Sequence, residues 1–230
     1  MKKIFTAFIL MLCAACVASG ANYLTFTAEE DGSSFGITHV SGNNPDVQYS
    51  LDDGETWTAL EGKITITLAH KGDKALLKGD NPKGFSSGRQ YSTFKMTGKI
   101  AASGSVMSLI DGIGLSVEIP NSYGFLDLFY GCTSLTQAPE LPATTLTERC
   151  YNSMFEGCTN LSQIDVTFEE WPVNDETYRW VTNVAPTGTF YCPKVLPLEY
   201  GVDRIPEGWT VKYIEDTVAI ETNYLTHLHS

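Results

Sequence analysis

The stretch Gly131-Cys132-Thr133-Ser134-Leu135 returns as Gly157-Cys158-Thr159-Asn160-Leu161, 26 positions later in the chain. The match extends upstream to three apolar positions in each copy. These are Phe125, Leu128 and Phe129 in the first copy and Tyr151, Met154 and Phe155 in the second. An apolar pattern in fixed phase, with a period of about 20 to 50 residues, is typical of stacked repeats. Because stacked repeats present a surface and have no built-in chemistry, the pattern favours binding over catalysis.

Apolar residues in the second copy have the spacing of a helix. Positions i, i+4, i+5, i+8 and i+9 of the pattern are Leu146, Cys150, Tyr151, Met154 and Phe155. This spacing predicts one face of a short helix, which Gly157 would end. Residues 161–166 then follow as a strand, and residues 135–141 take the same place in the first copy. A constant period predicts that these strands lie side by side in parallel.

The unit Met154-Phe155-Glu156-Gly157-Cys158-Thr159-Asn160-Leu161 resembles the 26-residue repeat of bacterial surface proteins, the BspA-type leucine-rich repeat. The linker at residues 138–146 is similar to the same family. The resemblance covers roughly residues 105–170, with an end piece at residues 188–190 and 205–209. It implies a secreted or cell-surface protein that adheres to host or bacterial partners. The chain departs from the family in having few repeats, whereas a long concave binding face needs many.

The residues before the repeats have a different pattern. Residues 22–100 alternate apolar and polar side chains, and turn signals such as Asp31-Gly32 and Asp53-Gly54 separate the runs. Short alternating strands of this kind predict an antiparallel β-sandwich. We therefore predict a mixed α and β fold, in which this N-terminal sandwich precedes a short leucine-rich-repeat-like solenoid with a C-terminal cap. The predicted repeat coils span residues 101–170, the capping segment residues 171–214 and a flexible tail residues 215–230.

The N-terminus predicts export. Residues 1–20 contain two lysines, a short apolar run and small residues, which is the pattern of a secretory signal peptide with cleavage after Gly20. The alternative is a lipid anchor on Cys16, which follows two alanines. We favour simple secretion, because Cys13 stands where lipoproteins usually have a branched aliphatic residue. The expected location is secreted, periplasmic or on the outer surface.

Charge and cysteine content limit the partners. The net charge is −12 and no basic cluster follows the leader, which argues against nucleic acid. The apolar run of the leader is too short to span a bilayer, and no later segment approaches the required length. Cys132 and Cys158 occupy equivalent repeat positions, so a bridge between them is possible but unforced. The cysteine and histidine spacing indicates neither a metal site nor another cofactor site.

Residues 50–57 fit the S-x-D-x-G-x-T-W pattern of the Asp-box, which occurs in sialidases and other propeller proteins. Its residues are Ser50, Asp52, Gly54 and Trp57. Asp52 can accept hydrogen bonds from the turn, and Gly54 permits a positive φ. Because the chain has one such box and lacks an arginine cluster, we interpret it as a self-braced turn.

Two surfaces are candidates for recognition. The first is the strand face of the repeats, where Gln137, Glu140, Gln163 and Asp165 are expected to point outward. The second consists of aromatic rings in the β domain: Trp57, Tyr49 and Tyr91. No catalytic motif is present. We predict a non-enzymatic, exported interaction or adhesion protein whose partner is an unknown protein or glycan. The alternative is a glycan-binding or glycan-processing accessory protein that uses the β domain.

Overall fold

The computed structural model describes residues 20–214, which contain thirteen strands and one short helix. Strand makes up 33% and helix 3% of the chain described. The N-terminal elements are β1 (Leu24–Ala28), β2 (Ser33–Val40), β3 (Gln48–Ser50), β4 (Thr58–Ala59), β5 (Thr65–Leu68), β6 (Lys74–Lys78), β7 (Tyr91–Thr97), β8 (Ile100–Ser103) and the short helix α1 (Ser108–Asp111). The later strands are β9 (Leu135–Gln137), β10 (Glu140–Leu141), β11 (Gln163–Val166), β12 (Thr189–Cys192) and β13 (Thr210–Tyr213).

The strands form three sheets. A six-stranded sheet has the order β4-β3-β6-β1-β8-β9, a three-stranded sheet the order β5-β2-β7, and a four-stranded sheet the order β10-β11-β12-β13. Pairs among β1 to β8 are antiparallel, whereas β8 pairs with β9 in parallel, as do neighbours in the four-stranded sheet. The amide of Ala138 donates to the carbonyl of Gln163 at 2.9 Å. This bond continues the six-stranded sheet into the four-stranded one.

Aromatic rings join the sheets and the repeats into one core. The ring of Phe26 on β1 meets Phe35 on β2 at 5.2 Å and Phe94 on β7 at 5.1 Å between centroids. Phe94 stacks on Phe129 at 5.4 Å, and Phe129 stacks on Phe155 at 5.7 Å. All five rings are buried. Burial of this size supplies most of the free energy that holds such layers together.

The predicted repeat helix is absent, and consecutive turns replace it. The amide of Leu128 donates to the Phe125 carbonyl three residues earlier in the same layer, at 3.2 Å. The amide of Phe125 instead donates to the Cys150 carbonyl of the next layer at 2.8 Å. Along both copies of the repeat, the amides alternate between a carbonyl three residues earlier and a carbonyl of the next layer. An α-helix would direct each of these amides to a carbonyl four residues earlier in its own layer.

Left-handed backbone at fixed positions explains why turns form here. Asp127, Ser153 and Arg179 have φ values of 55°, 49° and 54° and lie 26 residues apart. Such a residue interrupts a right-handed helix. A chain of four-residue turns brings apolar side chains to one side at the same i, i+4 spacing as a helix. The spacing alone therefore does not separate the two structures.

The predicted fold class, mixed α and β with a β-sandwich followed by a leucine-rich-repeat-like solenoid and a cap, is wrong. The part of the chain described is nearly all β, in three sheets, with α1 as one four-residue helix. In addition, β9 of the first repeat pairs with β8 and belongs to the six-stranded sheet. The predicted N-terminal sandwich is therefore not separate from the repeats.

Residues 20–214 contain no helix that is long and apolar enough to cross a membrane. The predicted signal peptide and the predicted tail at residues 215–230 lie outside the residues described, except for Gly20.

Tyr151 carries a polar atom that the core does not satisfy. Its ring stacks between Phe125 at 6.2 Å and Trp180 at 6.4 Å, while its buried hydroxyl has no hydrogen-bond partner. Tyr151→Phe is therefore expected to raise the free energy of unfolding by about 1 kcal/mol, measured by urea denaturation. Tyr123→Phe is the matched control, since the Tyr123 hydroxyl accepts a bond from Arg149 at 3.2 Å and its loss brings no gain. Destabilisation by Tyr151→Phe would contradict this account of the core.

Candidate functional site

The four polar residues predicted on the strand face lie on β9, β10 and β11, where Glu140 is exposed and the other three are partly buried. Asp165 lies between the buried Ile164 and Val166 on β11, so its side chain points away from the core. The parallel register pairs Glu140 on β10 with Asp165. The remaining two, Gln137 and Gln163, are half-exposed on the neighbouring strands β9 and β11. We call this surface, with its continuation on β12 and β13, the strand face.

Two residues that the sequence interpretation missed extend the strand face. Asp165 pairs in register with Tyr191 on β12, and Tyr191 pairs with Lys212 on β13. The Lys212 ammonium lies 5.6 Å from the centre of the Tyr191 ring, within the range of a cation–π contact. The alternation of Thr189 and Tyr191 with the apolar Phe190 and Cys192 was a sequence signal for Tyr191. Its alignment with Asp165 depends on the register between β11 and β12, which cannot be read from the sequence.

Electrostatics set Asp165 apart from the other residues of the face. Burial raises the pKa of its carboxyl to about 6; the Gln163 amide opposes that rise, and the neighbouring Glu140 carboxylate adds to it. The Gln163 amide nitrogen lies 3.3 Å and 3.4 Å from the two carboxyl oxygens. Asn22 donates to Glu140 at 2.6 Å. The carboxyls of Asp165 and Glu140 thus each have a side-chain amide as a partner. Neither carboxyl takes part in the arginine ion pairs among the described residues.

The Asp-box forms the self-braced turn that its pattern predicts. The Asp52 carboxylate accepts bonds from the Ser50 hydroxyl at 2.6 Å and from the amide and hydroxyl of Thr56 at 2.9 Å and 2.5 Å. These bonds, led by that of Ser50, lower the pKa of Asp52 to about 2. Gly54 has φ 91°, which a residue with a side chain rarely adopts. The carboxylate therefore has a structural task in the turn.

Trp57 does not offer an open aromatic platform. Its indole N–H donates to the Gly54 carbonyl at 3.1 Å, and the Tyr23 ring packs against it edge-on at 5.0 Å. The Lys78 ammonium lies 4.0 Å from the centre of its ring. Tyr49 also packs inward, 6.4 Å from Phe35. Of the three candidate rings, those of Trp57 and Tyr49 are thus engaged in contacts within the protein.

One serine–histidine pair resembles a nucleophile and its base. His39 Nδ1 lies 2.8 Å from the Ser92 hydroxyl, and burial lowers the pKa of His39. Ser92 is fully buried and also accepts a bond from Asn43 at 2.9 Å. A hydroxyl without access to a substrate cannot act as a nucleophile, so the pair has a structural role. Within residues 20–214, no group of three or more metal-ligating side chains is close enough to hold an ion.

The predicted alternative of a Cys132–Cys158 bridge is not realised. Both residues are buried and free, and each thiol donates to a backbone carbonyl: Cys132 to Phe94 at 3.1 Å and Cys158 to Phe129 at 3.0 Å. Burial raises the pKa of Cys132 to about 12. Such a thiol is unreactive, because the thiolate is the reactive form.

No family model, curated protein or solved structure matches this chain. The resemblance to the BspA-type repeat, which rests on residues 154–161, therefore stays a prediction.

Proposed function

We propose that the protein is an exported, non-enzymatic interaction protein that binds a partner at the cell surface through the strand face. The observation that supports this proposal is the placement of Glu140, Gln163 and Asp165 on adjoining strands of one parallel sheet, with Gln137 on the neighbouring strand β9. Parallel sheets usually have both faces covered, so an open polar face on such a sheet is suited to a partner.

The composition of the face supports a specific contact. It combines carboxylates, amides and the Tyr191 ring, with Lys212 beside the ring. Aromatic rings commonly contribute much of the binding energy at protein interfaces, while polar neighbours set orientation. The alternative site at the Asp-box has less support, because Asp52 and the Trp57 ring are engaged in the turn.

Adherence of coated beads tests the proposal. Beads carrying the chain from Ala21 onward are counted on immobilised matrix proteins and on cell surfaces, together with uncoated beads. We expect the double variant Glu140→Gln/Asp165→Asn to reduce adherence about tenfold, because both acids contact the partner. The control Glu29→Gln/Glu30→Gln removes the same charge from exposed positions away from the face and is expected to have no effect.

The proposal fails if the coated beads adhere no better than uncoated beads. Equal loss of adherence in both double variants would also contradict it, because that result would reflect net charge and not the strand face.

A further inference from the structure

A recessed surface with different residues from the strand face lies where the three-stranded sheet meets the stacked turns. It is a hollow of about 570 Å³, within the range of roughly 300–1,000 Å³ that small-molecule sites occupy. Strands β2 and β7 form one wall, and the turns around residues 126–130 and 152–153 form the other. The side chains that matter for a ligand are Thr38, Tyr91, Lys95, Asp127, Tyr130 and Asn152.

Backbone contacts hold Asp127 within this lining. Its amide donates to the Asn152 carbonyl at 3.1 Å, and its carbonyl accepts the Thr93 hydroxyl of β7 at 2.8 Å. Lys95, two residues after Thr93 on β7, also lines the hollow. The backbone of Asp127 is thus held from both walls.

The Asp127 carboxyl is an unusual acceptor. Burial raises its pKa to about 6, and the Glu156 carboxylate of the next layer adds to that rise. The charge of Lys95 and a hydrogen bond from the Tyr91 hydroxyl both lower the pKa of Asp127 and partly offset that rise. A half-buried carboxyl with a shifted pKa in a recess is a common feature of binding sites.

Two tyrosines complete the hollow. Tyr91 on β7 is half-buried and directs its hydroxyl to Asp127, while Tyr130 is 46% exposed at the other wall. A ring next to carboxyl, amide and hydroxyl groups suits a ligand with one apolar C–H surface and several hydroxyls.

Charge narrows the ligand class. Lys95 is the cation of the lining and Asp127 is its carboxylic acid. Glu156, which is outside the lining, pairs with Arg179 at 2.5 Å. One ammonium and one carboxyl balance each other in the lining, so it favours a neutral ligand.

We propose that this hollow binds a neutral sugar residue of a glycan. The Tyr130 ring packs against the C–H surface of the sugar. Asp127 accepts hydrogen bonds from its hydroxyls, and Asn152 and Lys95 bond its remaining oxygens. This site is separate from the strand face, and its existence does not depend on the function proposed for that face.

The test uses an array of neutral oligosaccharides built from glucose, galactose, mannose and N-acetylglucosamine, followed by calorimetric titration of the chain from Ala21 onward with the strongest binder. We expect binding that Tyr130→Ala and Asp127→Asn each weaken about tenfold or more, because each removes an aromatic or charged contact. Tyr178→Ala is the matched control, since Tyr178 is 45% exposed and outside the hollow. It is expected to bind as the unmodified chain does.

Both test variants should fold. Tyr130 is an exposed side chain, and asparagine tolerates the left-handed backbone of Asp127 at φ 55°. If Asp127→Asn nevertheless unfolds, Tyr130→Ala decides alone. Failure of every neutral oligosaccharide to bind at millimolar concentration overturns the proposal. Binding that survives Tyr130→Ala, or that Tyr178→Ala weakens equally, overturns it as well.

Discussion

Phe129→Ala is expected to lower the free energy of unfolding by about 3–5 kcal/mol, which is the usual cost of truncating a fully buried aromatic side chain. The ring of Phe129 contacts Phe26 at 6.2 Å, Phe94 at 5.4 Å and Phe155 at 5.7 Å. These partners belong to the six-stranded sheet, the three-stranded sheet and the next repeat layer. Because their positions are fixed by their own strands and turns, they cannot collapse into the space left by the ring. Urea denaturation followed by circular dichroism measures the loss.

Tyr130→Ala is the control for Phe129→Ala. It removes an adjacent aromatic ring from an exposed position and is expected to cost less than about 1 kcal/mol. Similar losses for the two variants would show that the sheets and repeats do not share the core described here. Two separate urea transitions in the unmodified chain would lead to the same conclusion.

Asp111→Ala is expected to cost about 2–3 kcal/mol, because one carboxylate organises a whole loop. Its two oxygens accept the amides of residues 113–116 at 2.9, 2.6, 2.9 and 2.6 Å. Burial opposes ionisation, but these four bonds together leave the pKa of Asp111 lowered. The loop is partly exposed, so water replaces some of the lost bonds and keeps the expected cost below their sum. The measurement is the urea midpoint at constant m-value.

The position of the loop gives Asp111→Ala a second readout. The carbonyl of Ile113 accepts the amide of Asn22, and the Asn22 side chain in turn bonds Glu140 of the strand face. Hydrogen exchange at the Asn22 amide is therefore expected to accelerate in the variant. Asp31→Ala is the control, because Asp31 accepts a single amide, that of Lys71 at 2.7 Å. A stability loss in Asp31→Ala as large as that in Asp111→Ala would contradict the role of the four bonds.

The sequence predicted which repeat residues are buried better than it predicted their backbone. Phe125, Phe129, Tyr151 and Phe155 are all buried, as the 26-residue period indicated. The helix prediction failed because spacing of four residues arises from successive turns as well as from helical turns. Left-handed backbone at Arg149 has no signal in its side-chain chemistry. The sequence therefore did not indicate whether each amide donates to a carbonyl of its own layer or of the next layer.

The candidate sites depended on the sequence to different degrees. The four polar residues of the strand face were predicted from strand alternation, which is a local pattern. Tyr191 and Lys212 join that row through register between strands 21 to 26 residues apart. The sugar-binding hollow required a longer-range contact, since the bond between Phe94 and Leu128 brings β7 beside the turns that carry Asp127. The sequence predicts Tyr91 as an exposed ring, but no local sequence pattern indicates its hydrogen bond to Asp127.

The thiol–carbonyl bonds of Cys132 and Cys158 have a consequence for the setting in which the protein can operate. Since these two sulfurs hold neighbouring layers as hydrogen-bond donors, no covalent link between them is available for a reductant to cleave. Their burial also shields them from oxidants. The contact between these layers therefore forms without an oxidant, because both thiols take part in their reduced form.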